Sequence, residues 1–238
     1  INKTLTRMRH PTVTALPVIS ADVRRKSVAD IFAPGLIATT LLVAATYFFH
    51  IITFYYILKW VPKIVVDMGF AASSAAGVLV WTNVGGALGG AVLGDLTMRF
   101  GVKGLSMGAM VLSTVMVVIF GPKPPDLQKL SLICACAGFF TNAAIVGMYA
   151  IFAQVFPTHV RASGTGFGIG IGRGGSVLAP IIAGFLFTGG ISLPAVSLVM
   201  ALGSFIAAGV LMMLKMKADT PTADATEQPS GTPHAAPR

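Results

Sequence analysis

The sequence predicts an all-α membrane protein built from six transmembrane helices. Three observations support this fold class: the chain is 55% hydrophobic and only 11% charged, its apolar residues form six runs, and short breaks separate those runs. A soluble domain of 238 residues would need more charge to cover its surface. Because backbone groups in lipid must satisfy one another, the apolar runs are expected to be helices.

Each apolar run is close to the ~20 residues that a helix needs to cross about 30 Å of hydrocarbon. We predict helices at 34–61, 71–95, 104–121, 130–154, 163–188 and 191–214. The breaks contain proline, glycine and charged residues, which are typical of loops. Trp60, Tyr55 and Tyr56 are expected at the headgroup level, at the far end of the first helix.

Polar segments flank the predicted bundle of residues 34–215. Residues 1–33 are basic and are interpreted as a cytoplasmic linker, which would join the bundle to something upstream. Residues 216–238 are rich in Thr, Pro and Ala, and they are predicted to form a disordered cytoplasmic tail. Since the chain starts with Ile1 rather than Met, we interpret it as a piece of a longer protein.

The positive charges indicate how the bundle is oriented. If each run crosses the membrane once, twelve of the 17 Lys and Arg residues fall on one side and four on the other. The positive-inside rule then predicts that both termini are cytoplasmic, in a multi-pass protein of the plasma (inner) membrane. The net charge of +9 is accounted for in this way, and no nucleic-acid partner is expected.

The remaining cation, Arg173, lies inside the fifth run, near the bilayer midplane at ~1.5 Å per residue. A guanidinium there costs roughly 3 kcal/mol to more than 10 kcal/mol, so it should face a wet cavity or an anion. The runs contain no acidic residue except Asp95, at the end of the second. Arg173 therefore pairs either with a carboxylate elsewhere in a longer protein or with the carboxylate of a substrate, which fits its bidentate fork.

Other polar and aromatic side chains near the midplane are candidates to line a binding site with Arg173. They are Tyr47, His50, Phe54, Asn83, Asn142 and Tyr149. Helical spacing places Tyr47, His50 and Phe54 on one face of the first helix. An aromatic and amide lining beside one arginine would suit a small aromatic acid, but a lone His or Asn in a membrane helix is also a common interhelical hydrogen-bond partner.

Glycines at four-residue spacing predict close helix packing in the second and fifth runs. In the second run Gly85 and Gly89 are such a pair. In the fifth run two stripes lie on roughly opposite faces, so this helix could be approached closely from two sides. The stripes are Gly164, Gly168 and Gly172, and Gly166, Gly170 and Gly174.

Nothing in the sequence indicates an enzyme. There is no acid pair for proton transfer, no Cys/His cluster with metal-ligand spacing and no phosphate-binding loop followed by Lys-Ser/Thr. Cys134 and Cys136 are two residues apart on one predicted helix, where their side chains do not face each other. No metal or cofactor is expected.

Two loops carry a resemblance to a known family. The segment GDLTMRFGVKG, residues 94–104, resembles the loop signature of the major facilitator superfamily at Gly94, Arg99, Gly101 and Lys103, although Met98 stands where an acid is usual. The segment FPTHVRASGTGFGIGIGRGGSVLAP, residues 156–180, resembles the aromatic acid:proton symporters of that superfamily, as does ILKWVPKIVVDMGF at 57–70. The second loop matches at Pro157, Arg161, Gly166, Gly172, Arg173 and Pro180.

The resemblance implies that residues 34–215 are helices seven to twelve of a twelve-helix major facilitator fold, its C-terminal half. This superfamily is an established example of inverted repeats with a midplane binding site. Residues 34–121 and 130–214 would be two three-helix repeats, with substrate bound between the halves. Arg161 and Arg173 would be important for transport, with Arg161, Asp95 and Arg99 in gating, and the proton-coupling acids would lie in the N-terminal half.

The sequence thus predicts half of a transporter for proton-coupled uptake of small, benzoate-like aromatic carboxylates by alternating access. Its expected partners are that substrate, protons, the N-terminal six-helix half and the lipid bilayer. Two alternatives stay open. One is a symporter of the same fold for sugars, polyols or aliphatic organic acids, and the other is a non-transporting membrane sensor or assembly protein.

Overall fold

The computed structural model describes residues 6–7, 28–122 and 126–216. In this part of the chain six α-helices are long and apolar enough to cross a membrane, and no strand is present. They are α1 (Ile37–Asp67), α2 (Ala72–Leu96), α3 (Val102–Phe120), α4 (Leu127–Val155), α5 (Arg161–Thr188) and α6 (Leu193–Met213). The predicted all-α membrane fold is confirmed. Most of the linker at 1–33, and the tail beyond Met216, lie outside the described residues.

Two of the loops begin with the same glycine-dependent turn. Gly69 after α1 and Gly190 after α5 have φ values of 94° and 76°, which disfavour any residue with a β-carbon. At each site the next residue donates to a carbonyl five positions earlier, Phe70 to Val65 and Ile191 to Leu186. This is the Schellman arrangement, which ends a helix and satisfies its last carbonyls.

The first helix is longer than the sequence predicted. It continues through Pro62 to Asp67, instead of ending near residue 61. Membrane helices tolerate an internal proline when the rest of the helix is held by its neighbours. The expectation that Tyr55 and Tyr56 lie at the headgroup level is therefore wrong: both are well inside the helix, and Tyr56 is fully buried with its hydroxyl 2.8 Å from Ser197 Oγ.

The helices pair in a reciprocal way. We match α1, α2 and α3 in order with α4, α5 and α6. The contact between α2 and α4 then corresponds to the contact between α5 and α1. In the same way, the contact between α1 and α6 corresponds to the contact between α4 and α3. Two further contacts, α1 with α4 and α3 with α6, each join a helix to its own counterpart. This is the pairing expected of two three-helix repeats, and the division at 34–121 and 130–214 stays a prediction.

The glycine pattern of the second run is explained by the contact between α2 and α4. A β-carbon on Gly85 or Gly89 would overlap the backbone carbonyl of Ala135 or Phe139, and one on Gly138 would overlap that of Thr82. The prediction of close packing is confirmed here, because backbone cannot move aside as a flexible side chain can.

In α5 one of the two glycine stripes is tightly packed, whereas on the other only Gly174 approaches a neighbour, the ring of Phe48, at 3.5 Å from an added β-carbon. Gly164, Gly168 and Gly172 lie under the rings of Phe156, Phe152 and Tyr47, respectively. On the other stripe, a β-carbon at Gly166 or Gly170 would meet no atom of the described residues within 4 Å. Close approach to α5 from two sides is therefore not seen in this part of the chain.

Candidate functional site

Arg173 lies near the middle of α5, roughly 18 Å from the start of the helix at ~1.5 Å per residue. Its side chain is exposed on the surface of the bundle, and Nη1 donates a hydrogen bond of 3.4 Å to the hydroxyl of Tyr55 on α1. Among the described residues the ion pair is Lys63 with Asp67, at 2.6 Å, and none involves Arg173. The guanidinium thus keeps most of its five donors for another group.

A cavity of about 180 Å³ surrounds this guanidinium, and we call it the arginine cavity. Helices α1, α4 and α5 form its walls. Its lining is Tyr47, Ile51, Phe54, Tyr55, Asn142, Ile145, Val146, Tyr149, Gly172 and Arg173. The wall is therefore aromatic and aliphatic, with one cation, one amide and three phenol hydroxyls as its polar groups.

Two tyrosines close one side of the arginine cavity. The hydroxyls of Tyr47 and Tyr149 are 3.1 Å apart, which joins α1 to α4. Tyr47 is nearly fully buried, stacks edge-on against Phe152 and lies directly over Gly172. Because a β-carbon at residue 172 would overlap its ring, the glycine is what allows α1 and α5 to approach beside Arg173.

A second cavity of about 210 Å³ adjoins the first, and we call it the amide cavity. Its lining is Phe54, Ile57, Leu58, Thr82, Asn83, Gly86, Ala87, Gly138, Thr141 and Asn142. Phe54 and Asn142 belong to both cavities, so the two form one trough that runs from α5 across α1 and α4 to α2. No residue of α3 or α6 lines it.

The two asparagines of this trough are held by backbone carbonyls. Asn142 Nδ2 donates to the carbonyl of Gly86 on α2 at 2.6 Å. Asn83 Nδ2 donates to the carbonyl of Leu79 on its own helix at 2.8 Å. A carbonyl can only accept, so these bonds fix which end of each amide is the nitrogen.

Comparison with known proteins identifies the family. Residues 21–237 match the family model described as Major Facilitator Superfamily. The chain belongs to the Major Facilitator Superfamily. This is a superfamily of membrane transporters and not of enzymes.

Three curated relatives of this major facilitator chain are named as transporters of aromatic acids. It is 30% identical over 150 residues to a benzoate transport protein of Acinetobacter baylyi, covering 63% of the chain and 32% of the relative. It is 28% identical over 198 residues to a 3-(3-hydroxy-phenyl)propionate transporter of Escherichia coli, covering 82% and 49%. It is 29% identical over 169 residues to a gallate transporter of Pseudomonas putida, covering 71% and 38%.

These matches confirm the resemblance to the aromatic acid symporters of the superfamily that the two loops indicated. The chain spans less than half the length of the relatives just named. The activity and the substrates of the whole protein are therefore matters for proposal.

The structure brings most of the predicted site residues together. Tyr47, Phe54, Asn142, Tyr149 and Arg173 all line the arginine cavity. Asn83 lines the adjoining amide cavity. Their role in binding substrate stays a prediction.

His50 lies apart from the other predicted residues. It is fully buried and lines neither cavity. Its Nδ1 is 2.8 Å from Ser204 Oγ on α6, and its Nε2 donates to the carbonyl of Thr141 on α4 at 2.9 Å. At 100° per residue it points 60° away from Tyr47, toward α6. The side chain therefore joins three helices, which is the alternative that its isolated position in a membrane helix left open.

The predicted gating residues of this major facilitator chain lie at one end of the bundle. Asp95 and Arg99 are exposed near the end of α2, and neither forms an ion pair among the described residues. Arg161 begins α5, and its Nε donates to the carbonyl of Phe156 at 3.3 Å. That bond fastens the α4–α5 loop, whereas a gating role for the three residues stays a prediction.

One polar residue of the arginine cavity, Tyr55, was missed by the sequence reasoning. It was assigned to the headgroup region because it precedes Trp60 and the proline at residue 62. The signal that would have found it is its spacing of i+4 from Ile51 and i+8 from Tyr47, which puts it at the edge of the face that carries both. Its contact with Arg173 follows from the packing of α1 on α5.

Proposed function

We propose that this chain is the C-terminal half of a secondary active transporter that takes up small aromatic carboxylates together with protons. The observation that carries the proposal is Arg173, a cation near the middle of a membrane-spanning helix that has no carboxylate partner among the described residues. A charge at this depth is costly unless an anion or water compensates it. The carboxylate of a substrate would do so, with the bidentate geometry that a guanidinium favours.

The walls of the arginine cavity favour an aromatic substrate. The rings of Tyr47, Phe54 and Tyr149 face the same space as the guanidinium, and aliphatic side chains of α1 and α4 fill the gaps. Aromatic rings attract one another edge-to-face or offset, with about 0.5–1.5 kcal/mol beyond the burial of area. A neutral sugar would leave the charge of Arg173 without an anion. The names of the similar transporters agree with an aromatic acid.

Alternating access and proton coupling would require the N-terminal half. The trough is lined by α1, α2, α4 and α5 only, so a second bundle would be needed to cover it. In the six membrane-spanning helices Asp67 and Asp95 are the carboxylates, and both are near helix ends. The groups that carry protons would therefore belong to the other half, consistent with the resemblance to proton symporters.

We place both termini in the cytoplasm and the protein in the plasma (inner) membrane. The support is the distribution of charge, since Arg99, Lys103 and Arg161 lie at the same end of the bundle as the start of α1 and the end of α6. Lys103 Nζ donates to the carbonyl of Leu214 at 2.6 Å, which ties the chain after α6 to this end. We call it the basic end.

The proposed function is tested by uptake of radiolabelled benzoate into cells that express the full-length transporter. Saturable uptake that collapses with a protonophore is expected. Arg173→Ala should abolish uptake and Arg173→Lys should leave little of it, because an ammonium lacks the planar fork. Lys63→Ala is the matched control, since this cation pairs with Asp67 at the surface and lines neither cavity of the trough.

Two outcomes would contradict the proposal. Uptake that is unchanged in Arg173→Ala would make the arginine a structural residue. Absence of uptake for all aromatic acids, with the protein present in the membrane, would favour a carrier of sugars or aliphatic acids.

A further inference from the structure

A cavity of about 600 Å³ lies outside the trough, between α2 and α4, and we call it the back groove. It shares no residue with the arginine cavity or the amide cavity, and it is larger than either of them. It therefore needs an occupant other than the substrate of the trough.

The back groove opens on the face of α2 that is turned away from the trough. Four residues of α2 line the amide cavity and four others line the back groove. The first set is Thr82, Asn83, Gly86 and Ala87, and the second is Trp81, Val84, Gly85 and Leu88. At about 100° per residue the centres of the two sets lie roughly 180° apart around the helix. A half that covers the trough would thus leave the back groove facing lipid.

The back groove is shorter than the membrane is thick. On α4 its lining runs from Asp126 to Ala135, roughly 13 Å at ~1.5 Å per residue. The hydrocarbon core of a bilayer is about 30 Å thick, so the groove extends through about one leaflet. A transmembrane helix of a partner would extend over the whole thickness, whereas a phospholipid stays within one leaflet. The length of the groove thus favours a lipid.

A carboxylate lies at the end of the back groove that is farthest from the basic end. Asp126 precedes α4, and its Oδ1 accepts a hydrogen bond of 3.0 Å from the backbone N–H of Gln128. Its side chain is exposed and forms no ion pair among the described residues. Lys129, three positions on, is also exposed. The end of the groove therefore has a negative and a positive group close together in sequence, as a zwitterionic headgroup has.

The rest of the wall is apolar and includes a tryptophan with a free donor. Trp81, Leu88 and Leu132 are exposed on the walls of the groove. In the part of the chain that the structure describes, the indole N–H of Trp81 donates to no group. Tryptophan favours the membrane interface because its ring is apolar and its N–H needs an acceptor. The ester carbonyls of a phospholipid, between headgroup and acyl chains, would supply one.

We infer that the back groove binds one phosphatidylethanolamine molecule, in the leaflet opposite the basic end. The lipid ammonium pairs with Asp126, the phosphate lies near Lys129, and an acyl chain lies against Leu88 and Leu132. A choline headgroup has no N–H to donate and a glycerol headgroup has no cation. Phosphatidylcholine and phosphatidylglycerol therefore fit this site less well.

The test is native mass spectrometry of the purified full-length transporter, delipidated in detergent and titrated with each of the three lipids. One phosphatidylethanolamine should be retained, with a Kd about two- to fivefold lower than for the other two, as expected of an exposed ion pair. Asp126→Asn should abolish this difference. Asparagine caps a helix as well as aspartate does, so α4 should still form.

A second variant tests whether the lipid lies in the groove. Leu132→Trp should fill part of it and weaken binding of all three lipids about tenfold, equivalent to roughly two methylene groups left unburied. Leu198→Trp is the matched control, because Leu198 is an exposed leucine at the same position of α6, the sixth residue, and does not line the groove.

Equal lipid binding by Leu132→Trp and Leu198→Trp would overturn the inference, because the lipid would then lie elsewhere. Equal Kd values for the three lipids in the unmodified protein would overturn the assignment of the headgroup. A dimer that Leu132→Trp dissociates would assign the groove to a second copy of the chain and would also overturn it. None of these measurements requires uptake, so their outcome is separate from that of the proposed function.

Discussion

The hydroxyl of Tyr55 receives a 3.4 Å hydrogen bond from the guanidinium of Arg173, and this bond links α1 to α5 inside the membrane-spanning part of the bundle. Tyr55 is a neutral partner, so it orients the arginine without cancelling its charge. The arginine is thereby held in one direction, and its charge still has to be compensated by an anion or by water. Under the proposed function this arrangement is pre-organised for binding the substrate carboxylate, and it differs from a permanent salt bridge, which would leave no charge for a substrate.

Tyr55→Phe should weaken binding of benzoate about three- to tenfold, because the guanidinium loses the hydroxyl that orients it and the substrate loses a donor. The measurement is the KM of uptake, with the maximal rate little changed. Tyr56→Phe is the matched control: this neighbouring hydroxyl lies 2.8 Å from Ser197 Oγ and is not in the trough. A Tyr55→Phe variant with an unaltered KM would contradict a role for this hydroxyl.

His50→Ala should lower stability without altering substrate affinity. Its imidazole bonds to Ser204 on α6 and to Thr141 on α4, so the substitution removes two buried hydrogen bonds, each worth about 0.5–1.5 kcal/mol. We expect a lower melting temperature in detergent and less protein in the membrane, with the KM for benzoate unchanged. A severalfold change in KM would instead support the direct binding role that the sequence suggested for His50.

Gly89→Ala should disrupt the contact between α2 and α4. The added methyl would overlap the backbone carbonyl of Phe139, and such overpacking typically costs 1–3 kcal/mol. Gly77→Ala is the control on the same helix, because a β-carbon there meets nothing within 4 Å and alanine favours the helix. The measurement is thermal unfolding of the purified full-length transporter in detergent. Equal melting temperatures for the two variants would show that α2 can shift away from α4.

Single cysteines can test the proposed orientation. Met98 is 79% exposed at the basic end, and Ser192 is exposed at the opposite end, before α6. In intact cells a membrane-impermeant maleimide should label Ser192→Cys but not Met98→Cys, which should react only after lysis. The parent protein should carry Ser in place of Cys136, whose side chain is partly exposed. The reverse labelling pattern would place both termini outside the cytoplasm.

The helices could be predicted from the sequence because a chain in lipid must satisfy its backbone hydrogen bonds internally, whatever the order of its residues. A run of some twenty apolar residues has to be helical for its backbone to be satisfied, so the six elements were found with small errors at their ends. The end of α1 was missed, since Pro62 normally indicates a break, and only the packing of neighbouring helices allows the helix to pass through it.

The candidate site was predictable only in part. Arg173 was identified by the cost of its position, which is independent of how the helices are arranged. The side chains that surround Arg173 could not be predicted, because they depend on which edge of α1 faces the cavity. That is decided by how α4, α5 and α6 pack on α1. His50 and Tyr55 lie on opposite edges of the face that carries Tyr47, so the sequence alone assigned the histidine to the cavity and missed the tyrosine.

The unequal attachment of the two asparagines has a consequence for how such a transporter can diversify. Asn142 is both a clamp between α4 and α2 and a wall of the trough, so most replacements there would loosen the bundle before they altered what it carries. Asn83 clamps nothing outside its own helix, and its replacement is expected to be tolerated. Under the proposed function, new substrate preferences would therefore arise more readily by single mutations at residue 83 than at residue 142, which holds α4 against α2.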